Sequence, residues 1–275
     1  MNSGPHWRKS ANRPPSLAAA TSEERQDSAM KLNCDLGESY GAWQMGQDDL
    51  VMPLIDMANV ACGFHAADPM VIRKTLALAA AHHVAIGAHP SYHDLPGFGR
   101  RSIHHTPEEI EALMLYQLGA LEGMCRSEGL TLSYVKPHGA LNNDMMRDNN
   151  LLRAVMEAVR TFRTDLPLMI PVTSNYREHQ QMAADAGLPL LLEAFADRAY
   201  DDEGQLVSRR QAGAVHENPD IIVRQAKSFA DKGGVFSTTG NWLELPADSL
   251  CVHGDNEAAL EAIKAIRKAL GKSGQ

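Results

Sequence analysis

The sequence predicts a single TIM-like β/α barrel of seven or eight parallel strands. Three observations carry this expectation. A length of 275 residues suits one α/β barrel, a fold of about 250 residues. From residue 30 onward, short apolar runs alternate with segments of helical periodicity, the pattern of βα units around a parallel sheet. Nearly every predicted strand also ends in a compact polar signature, and the carboxyl ends of barrel strands converge on one mouth.

The elements follow in order. Residues 1–29 are polar and Pro-containing, and their one apolar patch, Leu17 to Ala20, is too short for a signal-peptide core. They are expected to be a disordered extension, leaving 30–275 as one barrel domain. The predicted strands are Lys31 to Cys34, Met57 to Cys62, Val84 to Ala88, Leu132 to Lys136, Pro167 to Val172, Leu190 to Phe195, Val235 to Ser237 and Leu250 to His253. Thr106-Pro107-Glu108-Glu109 offers an N-cap with Pro at the first helical position, and a helical period follows to about Arg126. Asp68-Pro69 opens a second helix in the same way. Further helices are expected over 151–162, 178–186, 221–231 and 257–270. A doubly wound sheet would show a glycine-rich phosphate turn, and Gly97-Phe98-Gly99 lacks its third glycine.

Composition narrows the function. A hydrophobic fraction of 44% with 22% charged residues is ordinary for a globular domain, and no apolar run reaches membrane-spanning length. The net charge of −8, without a block of Lys and Arg interleaved with aromatics, argues against nucleic acid as a partner. Cys34, Cys62, Cys125 and Cys251 form no CxxC pair, in a chain too large to need disulfide staples. That usage points to the reducing cytoplasm.

The polar signatures supply the candidate site. Asn33-Cys34-Asp35-Leu36-Gly37-Glu38 follows the first strand, Asn59 through His65 to Asp68 the second, and Gly87-Ala88-His89-Pro90-Ser91 the third. Lys136-Pro137-His138-Gly139, Glu193 with Asp197-Arg198, and His253-Gly254-Asp255 end later strands. Each Asp or Asn alone could be a helix cap, each Gly a turn and each His a packed rim residue. Six such signatures at one end of successive strands instead read as one constellation.

Within it, Asp35 suits a general base and Glu38 a binding carboxylate. His65 and His138 suit proton transfer or substrate hydrogen bonding, because imidazole titrates near neutrality. Lys136 and Arg198 could hold a carboxylate or phosphate, or else pair with Asp35, Glu193 or Asp197. His82, His83, His104 and His105 fall on helix or loop positions and read as surface. The cysteines read as small buried hydrophobes. Gly271-Lys272-Ser273 mimics the end of a P-loop, yet Ile266 stands where the first glycine is needed.

Taken in order, these stretches resemble the 5-oxoprolinase A-subunit family, also called LamB/YcsF. The blocks that carry the resemblance are Leu32-Asn33-Cys34-Asp35-Leu36-Gly37-Glu38, Asn59-Val60-Ala61-Cys62-Gly63-Phe64-His65-Ala66, Gly87-Ala88-His89-Pro90-Ser91-Tyr92 with Phe98-Gly99-Arg100, Val135-Lys136-Pro137-His138-Gly139-Ala140-Leu141, Glu193 to Arg198, Gly213-Ala214 and Cys251 to Asp255. Two positions depart from it: Ala67 where Gly is expected before Asp68, and Asn142 where Tyr is usual. The resemblance implies a barrel related to the glycoside hydrolase/deacetylase superfamily. It implies ATP-dependent opening of the lactam of 5-oxoproline to glutamate, together with B and C subunits.

Such chemistry has a physical logic. Resonance makes an unstrained amide a poor electrophile, and phosphorylating its oxygen breaks that resonance. The site then needs a base for water, donors for oxyanion charge and a cation for the substrate carboxylate. On this reading the catalytic residues are Asp35, His65 and His138. Glu38, Asn59, His89, Arg100, Lys136, Asp197, Arg198, His253 and Asp255 bind substrate. ATP, with Mg2+, is the co-substrate, and no tightly bound metal is expected.

Two other functions are consistent with the same residues. A metal-dependent amidase or deacetylase could draw ligands from Asp35, His65, His89, His138 and His253, although no HxxxH or HExxH spacing supports it. A non-catalytic subunit could capture the lactam for its partners.

Overall fold

The computed structural model describes residues 30–253 and 257–272. The expected extension over 1–29 lies outside the described residues. In chain order the described strands are β1 (Lys31–Leu36), β2 (Met57–Ala61), β3 (Ala85–His89), β4 (Leu132–Val135), β5 (Leu168–Pro171), β6 (Leu190–Phe195), β7 (Gly234–Phe236), β8 (Trp242–Glu244) and β9 (Ser249–Cys251). Among the described residues, β1 to β6 and β9 close a seven-stranded parallel barrel, with β9 seated between β6 and β1.

Helices wrap this barrel: α1 (Asp48–Val51), α2 (Pro69–Ala81), α3 (Pro107–Ser127), α4 (Gly139–Met145), α5 (Asn149–Phe162), α6 (Tyr176–Asp185), α7 (Pro219–Lys232) and α8 (Glu257–Ala269). The large core lies between the strands and these helices. A second, smaller apolar cluster of Met57, Tyr134, Met169 and Leu191 fills the barrel as a floor. Asn59, Lys136 and Glu193 follow Met57, Tyr134 and Leu191 by two residues, so strand alternation places them above that floor, toward the mouth.

The helix starts expected from sequence form as read. The Asp68 carboxylate accepts from the amides of Met70 and Val71 at 2.8 and 3.0 Å, with Pro69 in the first turn. Thr106 and Glu109 make a reciprocal capping box at the start of α3. Each cap satisfies amides the helix leaves open and contributes about 1 kcal/mol.

Two aspartates fix the lower rim. Asp56 accepts from the Leu32 amide through its carboxylate and exchanges backbone bonds with Leu32 and Ala85, tying β1, β2 and β3 together. Asp248 does the same for the closing seam: its carboxylate accepts from the Leu192 amide, its own amide donates to Leu192 O, and its carbonyl accepts from Lys31 N.

One expected strand needs correcting. The run Val235 to Ser237 does not join the barrel: Gly234–Phe236 pairs antiparallel with Trp242–Glu244 as a separate two-stranded ribbon. The place between β6 and β1 is taken by β9 instead, and Phe236 stays 60% exposed, edge-on to Trp242 at 5.1 Å. No helix among the described residues is long and apolar enough to cross a membrane.

Candidate active site

Above the floor, a buried ion cluster spans the barrel. Lys136 Nζ lies 2.9 Å from Asp35 Oδ1, 2.7 Å from Glu193 Oε1 and 3.3 Å from Asn33 Oδ1. Asn59 Nδ2 donates to both Asp35 Oδ1 and Asn33 Oδ1 at 2.8 Å, while Asn59 Oδ1 accepts from Tyr134 Oη at 2.6 Å. Asn33 Nδ2 in turn donates to Ser249 Oγ at 2.7 Å. Side chains from β1, β2, β4, β6 and β9 thus share one network.

Its electrostatics are decided by competition. Burial alone favours a neutral lysine, but Asp35 and Glu193 outweigh it and hold the Lys136 pKa well above the ordinary value. Burial likewise pushes the Asp35 carboxyl up, and His89 and Lys136 overcome that and hold it well below the usual carboxylate range. Asp35 is therefore an ionised group with Oδ1 engaged by Lys136 and Asn59, and Oδ2 3.5 Å from His89 Nε2. It opens onto a cleft of about 310 Å³ that Glu38, Gln44, Met45 and Asp48 also line.

Three histidines from separate strand ends meet beside Asp35. The rings of His65 and His138 stack with centroids 3.8 Å apart and planes 5° from parallel, and His89 stands edge-on to both. His65 Nε2 is 3.4 Å from Glu38 Oε1, and His138 Nδ1 is 3.8 Å from the same oxygen. Burial, reinforced by mutual repulsion between the rings, lowers the pKa values of His65 and His138 well below that of ordinary histidine, so both are neutral at pH 7.

Local turns hold this geometry. Gly37 takes a φ of +70°, and its amide donates to Asp48 Oδ2 at 2.9 Å, which turns the chain so that Glu38 returns to the cleft. A Cβ on Gly99 would stand 2.2 Å from Ser91 Oγ, 2.8 Å from His65 Cβ and 2.9 Å from His138 Cδ2, so only glycine fits against the stacked rings. Ala67 adopts a φ of +71° with its amide bonded to Ser39 O, so the turn before Asp68 keeps the glycine-like geometry despite the alanine. That conformation costs about 1–2 kcal/mol in a residue with a Cβ.

The remaining expected residues are distributed around this centre. His253 Nδ1 lies 2.8 Å from Asp197 Oδ2 and so pairs there, away from the stacked rings. Arg198 is buried, with its guanidinium donating to the carbonyls of Val207 and Ala214. These bonds make it a brace for the 198–216 excursion. Lys136 is likewise enclosed by protein carboxylates, in the ion pairs with Asp35 and Glu193 that the sequence offered as its alternative. Arg100 is exposed at the rim, its guanidinium carbon 5.2 Å from the centre of the Phe98 ring. Asp255 lies outside the described residues. Lys272 pairs with Asp56 at the lower rim, 2.6 Å away, which removes the P-loop mimic from the site.

Comparison with known proteins accords with this geometry. The LamB/YcsF family model matches residues 30–275. The chain belongs to the LamB/YcsF family. It is 55% identical over 238 residues to a protein of Chromohalobacter salexigens named as the A subunit of 5-oxoprolinase, covering 86% of this chain and 95% of that one. A Pseudomonas fluorescens protein of the same name is 51% identical over 245 residues, covering 89% and 98%. The crystal structure of a lactam utilization protein from Thermus thermophilus superposes with a TM-score of 0.83 at 42% identity, covering 89% of this chain and 97% of that one.

In this LamB/YcsF barrel, sequence reasoning brought Asp35, Glu38, Asn59, His65, His89, Lys136 and His138 to one mouth, and the structure places them together. It gave Asn33 and Tyr134 no role, and Glu193 only that of an ion-pair partner, although all three join the network. The missed signal was the period of two: Asn33 precedes Asp35, and Tyr134 precedes Lys136, by one full alternation. Of the histidines read as surface, His83 and His104 are exposed, His82 is half-buried at the helix end, and His105 is half-buried with its ring stacked on Tyr92.

Proposed function

We propose that this protein is the A subunit of an ATP-dependent 5-oxoprolinase, opening the lactam of 5-oxoproline to L-glutamate in the cytoplasm with B and C subunits. The observation that carries the reading is Asp35: an ionised carboxylate, clamped by Lys136 and Asn59, that lines the cleft. The relatives named for 5-oxoprolinase and the lactam utilization protein of the same fold point to the substrate class.

The roles follow from chemistry. A carboxylate held this acidic is a weak base, so it suits orienting water toward a lactam already activated by phosphorylation rather than attack on a resting amide. ATP, as its Mg2+ complex, would supply that activation. His65 lines the side where oxyanion charge develops, with the His138 ring stacked behind it, and Arg100 is the rim cation for the substrate carboxylate. Glutamate and ADP release from 5-oxoproline and ATP tests the reading, with the protein alone and then mixed with the B and C subunits. Release that needs all three is expected; no release with verified partners would overturn it.

A further inference from the structure

The hydrogen bonds around His89 and His138 turn the remaining nitrogen of each ring toward the other. His89 Nδ1 lies 2.7 Å from the carbonyl oxygen of Lys136, and His138 Nε2 lies 2.9 Å from the carbonyl oxygen of Phe98. A carbonyl can only accept, so each ring carries its proton on that nitrogen. The other two nitrogens, His89 Nε2 and His138 Nδ1, face each other at 2.9 Å, and two bare acceptors would oppose one another there. A cation held by both nitrogens, or a second proton on one of the rings, satisfies that contact.

Two further donors aim at the same place. One ligand atom each from Glu38, His65, His89 and His138 lies within 4.8 Å of all the others. Carboxylate oxygens border the site as well: Glu38 Oε1 lies 3.4 Å from His65 Nε2 and Asp35 Oδ2 lies 3.5 Å from His89 Nε2. The ring contacts to backbone carbonyls are the outer support that fixes the tautomer and orientation of metal-binding imidazoles.

We propose that Glu38, His65, His89 and His138 form a binding site for one divalent transition-metal ion. Three imidazole nitrogens and one carboxylate select the zinc-like ions over Mg2+ or Ca2+, which prefer oxygen. Tetrahedral zinc sets its nitrogens about 3.3 Å apart, so seating the ion asks the two facing rings to separate by about 0.4 Å. Bound there, the ion lies next to Asp35 Oδ2 and polarises a carbonyl or phosphoryl oxygen in the cleft. The inference rests on these four side chains and not on the lactam reading, so metal binding and glutamate formation hold or fail separately.

The test is a titration of chelator-treated, full-length protein with Co2+ and Zn2+. One equivalent of Co2+ should give visible d–d absorption that Zn2+ abolishes, and one tightly held Zn2+ should raise the melting temperature. Glu38→Gln, at the partly exposed edge of the site, should weaken binding at least tenfold while far-UV circular dichroism stays native; His138→Gln should weaken it further. Absence of cobalt bands and of stoichiometric zinc in folded protein overturns the proposal. So does binding that both variants leave unchanged, or histidine 15N shifts showing a proton held between His89 and His138 that excess Zn2+ does not displace.

Discussion

Lys136 Nζ and Glu193 Oε1 meet 2.7 Å apart inside the barrel, joining the end of β4 to β6 across the interior. Both side chains are almost fully buried, so the pair has little water to fall back on when one member is removed. Lys136→Met leaves Asp35 and Glu193 as uncompensated buried charges and should destabilise the protein by about 3–5 kcal/mol in urea unfolding. The double variant Lys136→Met with Glu193→Gln should recover part of that stability. Neither should retain more than about a hundredth of the proposed glutamate-forming activity, because Asp35 loses its clamp.

Gly99 is the spacer against which His65 and His138 stack. Gly99→Ala combines a left-handed alanine with clashes against both rings and Ser91, for a loss of about 2–5 kcal/mol. Activity should fall with it, and a crystal structure of the variant should show the ring stack displaced. Wild-type stability would mean that the stack is loosely held.

The His253–Asp197 pair makes stability depend on pH with a definite sign. Burial opposes charging of His253, but Asp197 overrides it and raises the pKa above its ordinary value of 6.5. A raised histidine pKa contributes stability that is fully present below the unfolded-state value of about 6.5 and is lost as pH climbs through the folded-state value. The difference in unfolding free energy between wild type and Asp197→Asn should therefore be largest near pH 6 and shrink toward pH 9. A constant difference across that range would show that His253 stays neutral.

The four cysteines are all buried and none forms a disulfide. Burial pushes the thiols of Cys62 and Cys125 up to about 12, where almost no thiolate exists at neutral pH. A thiol reagent should label none of them within minutes in the native protein and all four after denaturation. Rapid native labelling of one would reveal an opening that the folded structure does not display.

Much of this architecture was legible because local chemistry and fold agree. Asp68-Pro69 and Thr106-Pro107 start helices for reasons contained in a few residues, and the strand-end blocks around Asp35, His65, His89 and His138 converge once the barrel closes. Val235 to Ser237 misled because a short β-branched and aromatic run looks alike in a barrel and in a surface ribbon; only coverage of both faces separates them. Arg198 misled because no sequence pattern tells a guanidinium aimed at ligand from one bound to Val207 O and Ala214 O. The facing nitrogens of His89 and His138 were invisible for a related reason: their contact depends on which backbone carbonyl each ring finds.

Closure through β9 also governs how the chain comes to exist. Leu32 pairs with Leu250, so one side of the first strand waits for nearly the last. Without β9 the order of the six earlier strands leaves β1 and β6 as unpaired edges, and such edges recruit strands from other molecules. Contacts this distant in sequence also form late and slowly. A nascent chain halted before residue 249 is thus prone to aggregate, and the docking of the three residues Ser249–Cys251 ends that exposure.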